Sequence, residues 1–152
     1  MNDLTEYVDG FTDRDWQTLD PTTVDEPVRI ALVGLGWFTR DWALPGIERS
    51  PYTEATVVTD VDPDAITAIT DDRDLIGVTL EEFHSGSVAD EYDAVYVATP
   101  NATHFEYVEA AADQGKAVLC EKPMAATVEG AERIVSVCAD AGVPLMVGYR
   151  MQ

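Results

Sequence analysis

Val28-Arg29-Ile30-Ala31-Leu32-Val33-Gly34-Leu35-Gly36-Trp37-Phe38-Thr39-Arg40 is the stretch on which the reading of this chain turns. Val28 to Val33 is an apolar run broken only by Arg29, the pattern of a strand buried on both faces. A Gly-x-Gly turn follows, and Trp37 to Arg49 reads as a helix, bent or cut near Pro45. In such a unit the first glycine permits a tight turn and the second lets phosphates approach the backbone. The helix N-terminus then offers unpaired N–H groups to an anion. Gly34, Gly36, Trp37, Phe38 and Thr39 are therefore candidate binders of a dinucleotide pyrophosphate. An ordinary βα turn carries the same pattern, so the strand before and the helix after it give the signal its weight. The third position is Thr39, not Gly or Ala. It either loosens helix–strand packing or turns its hydroxyl to a phosphate. Trp37, Phe38 and Trp42 read as packing residues before a base-stacking site.

The alternation continues outward. Strands are expected at 55–59, 76–79, 93–98, 117–120 and 144–147, with helical segments at 63–71, 80–83, 103–114 and 127–141. Asp62 before Pro63 predicts an N-cap, and Gly115 and Gly142 predict helix ends. Apolar strands separated by helices mean an α/β fold, a doubly wound parallel sheet of six strands in the order 3-2-1-4-5-6, covered on both faces. In such sheets ligands bind beyond the carboxyl ends of the strands. Asp60 ends the second strand, about 24 residues past Gly36. An acid there accepts both adenosine ribose hydroxyls and repels a 2′-phosphate, which favours NAD over NADP. Otherwise it is one more surface acid, and Asp62 is the substitute.

Thr99-Pro100-Asn101 follows the fourth strand. Asn101 either bonds the cofactor or caps the next helix. His104 is expected on that helix's first turn, facing the crevice and touching nicotinamide or substrate, or else as a surface residue. Glu121-Lys122-Pro123 follows the fifth strand, and Lys122 is one of two lysines in the chain, with Lys116. In an apolar crevice a lysine loses basicity and exchanges a proton with a hydroxyl or carbonyl. Glu121 would hold it in place, and the Pro123 bond is a candidate cis peptide. The competing reading is a solvated lysine in an ion pair. No metal-ligand spacing stands out, and the first turn lacks the longer acidic glycine loop of a methyltransferase.

The chain has 152 residues, one domain's worth, with 46 % hydrophobic residues and a net charge of −20 from 29 acids against nine Lys and Arg. High charge alone does not disorder a chain with this much apolar content. A lysine-poor acidic surface suits very high salt, where screening is short-ranged. Without a basic patch, neither nucleic acid nor an anionic membrane is expected as a partner. Cys120 and Cys138 read as buried thiols of a reducing compartment. The start carries no basic apolar leader, and no run reaches the roughly 18 apolar residues of a membrane span. A cytoplasmic protein is expected. Residues 1–26 read as an acidic arm whose Tyr7, Phe11 and Trp16 pack on the domain or on a neighbouring subunit; residues 27–152 form the domain itself.

Val33-Gly34-Leu35-Gly36, Ala98-Thr99-Pro100-Asn101 with His104, Glu121-Lys122-Pro123 and Gly148-Tyr149-Arg150 together resemble the Gfo/Idh/MocA oxidoreductases. Asp15-Trp16 in the arm and the Gly36-to-Arg40 stretch are most similar to that family's sugar dehydrogenases from halophilic archaea. The resemblance implies a Rossmann domain with pyrophosphate at Gly34, Gly36, Trp37 and Phe38, and with adenosine ribose at Asp60. Thr99, Pro100, Asn101 and His104 would line the nicotinamide side, and Lys122, beside Glu121, would act at the substrate hydroxyl. It implies NAD or NADP as cofactor, a sugar or polyol as substrate and a homo-oligomer. It also implies a second domain, carrying further catalytic groups, that this chain does not contain. The other reading is a stand-alone dinucleotide-binding module or redox sensor without catalysis.

Overall fold

The computed structural model describes residues 26–149. Residues 1–25 of the arm, with Tyr7, Phe11, Asp15 and Trp16, and Arg150 lie outside the described residues. The elements are β1 (Val28–Val33), a helix that opens at Trp37, as expected, and passes through a π turn (Thr39–Ala43) into α1 (Leu44–Arg49), β2 (Thr53–Thr59), α2 (Pro63–Thr70), β3 (Ile76–Val78), α3 (Leu80–Ser85), a 3-10 turn (Ala89–Glu91), β4 (Ala94–Val97), α4 (His104–Asp113), β5 (Ala117–Cys120), α5 (Val128–Ala141) and β6 (Leu145–Val147). The sheet is six-stranded and parallel, in the order β3-β2-β1-β4-β5-β6. Expectation and structure agree on the fold.

Successive residues of one strand point to opposite faces. Ala31 and Val33 pack with Val57, Val95, Val97, Val118 and Cys120 against Tyr107, Val108 and Ala111 of α4 and Ile134 and Cys138 of α5. Leu32, Val58 and Tyr96 pack on the other face with Leu35, Leu44 and Ile69. Both faces of the central strands are thus dry, which is why their sequence reads as unbroken apolar runs.

Coverage stops short of the expectation at one place. The two crossovers after β4 and β5 put α4 and α5 on the same face. Across β4 and β5 the opposite face holds an apolar groove of about 370 Å³, with Ile30, Tyr96 and Leu119 on its floor and Phe38 and Trp42 at its wall. Met146 of β6 is 66 % exposed among the described residues. The helix at 39–49 is not broken by Pro45. It runs through the π turn, in which the Leu44 N–H donates to the Thr39 carbonyl, and Pro45, which has no N–H to donate, follows directly after that bond.

Candidate functional site

Gly34 leaves β1 with φ 94°, a conformation that glycine alone adopts freely. A Cβ there would lie 2.9 Å from the Ala98 carbonyl carbon and oxygen and from Thr99 Cγ2, so the turn also needs glycine to sit against the β4 loop. At Gly36 a Cβ would meet nothing within 4 Å. No packing within the described residues demands a glycine there, whereas close approach of a phosphate to the backbone does. The helix opens immediately afterwards. That is the fit expected for a dinucleotide pyrophosphate.

Asp60 ties the turn to β2. Its Oδ2 accepts from the Leu35 N–H at 2.6 Å and its Oδ1 from the Asp62 N–H at 2.9 Å. A carboxylate has about four acceptor positions, so two remain for hydroxyls. Asp62 is the N-cap of α2, its side chain accepting from the Asp64 N–H. Asp62 therefore has its own task. Gly34, Gly36, Asp60, Thr99 and Pro100 line one crevice of about 300 Å³ at the carboxyl edge of the sheet, together with Val61, Leu80, Thr103 and Tyr107. The last four were missed in the sequence. Tyr107 is one helical turn beyond His104, which was a usable signal. Leu80 follows β3, and nothing local says that this loop reaches over β1.

Several expectations need correcting. Thr39 does not direct its hydroxyl to a phosphate: it is 1 % exposed and donates to the Gly34 carbonyl at 2.6 Å. Nor does it loosen the packing. It anchors the helix to the turn at the start of the π segment. Trp37, 64 % exposed, and Phe38, 37 % exposed, are not core packing residues; they stack edge to face, 5.7 Å between centroids, and neither lines the crevice. His104 does not face the crevice. It is 1 % exposed, with Nε2 2.8 Å from the Thr99 carbonyl and Nδ1 3.1 Å from the Met124 carbonyl. Asn101 is half-buried beside it in the turn before α4, and the N-cap of that helix is Thr103, so Asn101 does not cap it.

Lys122 stands two residues past β5, whose Cys120 pairs with Val97 of β4. Its loop therefore leaves the same edge as Thr99. The side chain is exposed rather than walled by apolar groups, and it has no ion pair among the described residues. Glu121 does not grip the ammonium. Its Oε2 accepts from the Lys122 backbone N–H at 3.0 Å, and its Oε1 accepts from the Tyr96 hydroxyl at 2.6 Å. Burial first, then the Glu121 hydrogen bond and charge, pushes the Tyr96 phenol up. A Cβ at Gly148 would come within 3.0 Å of Glu121 Oε1, so β6 closes on the same carboxylate. The Lys122–Pro123 peptide is cis, as the sequence allowed. Burial likewise pushes the Cys120 thiol up to about 12, far from a thiolate at neutral pH.

With this geometry in place, known proteins supply the context. The oxidoreductase family described as having an NAD-binding Rossmann fold, Gfo/Idh/MocA, matches residues 28–149. The D-xylose 1-dehydrogenase [NADP(+)] of Haloarcula marismortui is 46 % identical over 144 residues, covering 93 % of this chain and 39 % of that protein. The crystal structure of aldose-aldose oxidoreductase from Caulobacter crescentus superposes with a TM-score of 0.77 at 30 % identity, over 82 % of this chain and 38 % of that one. A dehydrogenase from Bordetella pertussis, solved with NADH and UDP-GlcNAcA, superposes with a TM-score of 0.74 at 28 % identity, over 82 % of this chain and 35 % of that one. The chain thus spans about two fifths of the length of the curated relative. No described helix is long and apolar enough to cross a membrane.

Proposed function

The chain belongs to the Gfo/Idh/MocA oxidoreductase family, and from that membership we propose that residues 27–152 are the dinucleotide-binding domain of an NAD(P)-dependent sugar or polyol dehydrogenase. The carrying observation is the crevice itself: Gly34, Gly36, Asp60, Thr99 and Pro100, separate in sequence, line one cavity at the carboxyl edge of a doubly wound sheet. Relatives named for xylose and inositol support the sugar or polyol class.

Each residue then has a part. The Gly34–Gly36 turn and the helix behind it would hold the pyrophosphate, and Thr99, Pro100 and Asn101 the nicotinamide side. A bound nicotinamide would supply hydride transfer. Lys122, with three N–H donors on a flexible stem, would hold a substrate hydroxyl and exchange its proton. Glu121 fixes the backbone from which that lysine projects. Exposure of Lys122 favours a second reading for this chain by itself, a module that binds dinucleotide without turning over substrate. The high thiol pKa of Cys120 disfavours thiol-based redox sensing.

Within the class we propose a preference for NAD, resting on Asp60. Two of its acceptor positions are free for the ribose hydroxyls, and its charge repels a 2′-phosphate. The name of the Haloarcula relative carries NADP(+), which pulls the other way. Fluorescence titration at high salt decides. NADH is expected to bind more tightly than NADPH, and Asp60→Ser to narrow or reverse the order. Tighter NADPH binding by the unmodified chain overturns the NAD preference, and binding of neither overturns the proposal.

A further inference from the structure

The ring of His104 is where the two loops of the candidate site meet. The Thr99 carbonyl, from the loop after β4, is 2.8 Å from Nε2. The Met124 carbonyl, two residues beyond Lys122, is 3.1 Å from Nδ1. Cys120 Sγ, at the end of β5, is 3.2 Å from the same Nδ1. The ring is 1 % exposed, so water does not substitute for these partners. A proton on Nε2 donates to the Thr99 carbonyl and a proton on Nδ1 donates to the Met124 carbonyl, so the ring ties both loops directly when both nitrogens carry one; with Nδ1 bare, the Cys120 thiol donates to it instead. Among the described residues no other hydrogen bond links segment 99–103 to segment 122–127.

We propose that His104 is a positioning residue: it sets the spacing of the Thr99 loop and the Met124 loop, and through the latter the place of Lys122. This rests on the reading of the crevice and Lys122 given above. His104 does not itself line the crevice and is shut off from solvent, but its ring meets the carbonyl of Thr99, which does line it, and it opens α4, whose N-cap Thr103 and whose Tyr107 line the crevice as well. One buried ring therefore couples the cofactor wall to the lysine loop.

The chain has two lysines, so reductive 13C-methylation, which preserves their charge, yields one resonance for Lys122 and one for Lys116 beside that of a free α-amino group, and Lys122→Arg assigns the first. The latter lies 5.5 Å from the Tyr92 ring, far from His104 in the fold, and serves as the internal control. His104→Gln places an amide N–H where Nε2 stood and keeps the Thr99 tie. His104→Asn places one where Nδ1 stood and keeps the Met124 tie. His104→Phe keeps a ring and loses both. The Lys122 resonance is expected to move in the Gln and Phe variants and to stay near the parent in the Asn variant, while Lys116 does not move. NADH affinity is expected to stay within about threefold in the Gln variant and to fall about tenfold or more in the Asn and Phe variants, the scale set by small misplacements of a binding wall. A folded Gln variant with a parent-like Lys122 resonance overturns the proposal. So does a uniform drop in melting temperature with no reordering of resonances or affinities, the signature of a merely structural histidine. If the Phe variant does not fold, the Gln and Asn pair still decides. A parent chain that binds no dinucleotide defeats the functional reading alone, because the Lys122 resonances still report the brace.

Discussion

Thr59 ends β2 fully buried, and its hydroxyl has no hydrogen-bond partner among the described residues. An orphaned hydroxyl in a dry core costs on the order of 1–3 kcal/mol, whereas a methyl of the same shape costs nothing in hydrogen bonds. Thr59→Val is therefore expected to raise stability by about 1 kcal/mol, read as a higher urea midpoint at unchanged slope. A lowered midpoint would overturn the view of this hydroxyl as an uncompensated cost. The neighbouring Asp60 shows the opposite economy, since both of its oxygens are engaged by backbone N–H groups of the turn and the following loop. Gly34 belongs to the same scale: positive φ and the 2.9 Å approach to Ala98 each exclude a side chain.

The capped elements carry their signals locally. The Thr79 hydroxyl accepts from the Glu82 N–H, and the Glu82 carboxylate accepts from the Thr79 N–H at 2.8 Å, a complete capping box on α3. Bonds from the Thr79 backbone, then from its hydroxyl, hold the Glu82 carboxyl below its ordinary range. A carboxyl depressed on folding contributes stability that is present above the unfolded pKa and is lost as pH falls through the folded value. A 13C NMR titration is expected to find Glu82 titrating below its ordinary range, and Thr79→Ala to return it there. An unchanged Glu82 in the Thr79→Ala protein would show that the box does not hold the charge. The helix at 39–49 is the contrasting case. Its π turn was not foreseen, because it arises where Thr39 bonds back to Gly34 while Leu44 packs under the sheet.

At the scale of the molecule the net charge of −20 dominates. At about 0.1 M salt the Debye length is about 10 Å and like charges across the surface repel; at about 1 M it is about 3 Å and they do not. Melting temperature is expected to rise steeply from about 0.1 M to a few molar KCl, and a flat profile would remove the reading of this surface as adapted to high salt. Strand order and a crevice at the carboxyl edge were legible from local facts joined to one topological rule. Unbroken apolar runs such as Val95-Tyr96-Val97 point to burial on both faces, Gly115 and Gly142 end helices by positive φ, and right-handed crossovers leave few orders, of which 3-2-1-4-5-6 is the one observed. Gly34 and Gly36 were legible for the same reason, since a turn's demands fall on its own residues. What the sequence could not determine is where side chains point once distant segments meet. Cys120 and Met124, sixteen and twenty residues away, draw His104 inward from the crevice. Tyr96 turns Glu121 away from the lysine ammonium, Tyr107 and Leu80 join the crevice wall, and Lys122 stays exposed. Periodicity and turn chemistry act over a few residues and are written in order along the chain. The direction of a polar side chain is settled by whichever partner the fold brings within 3 Å, and that is a property of the tertiary structure alone.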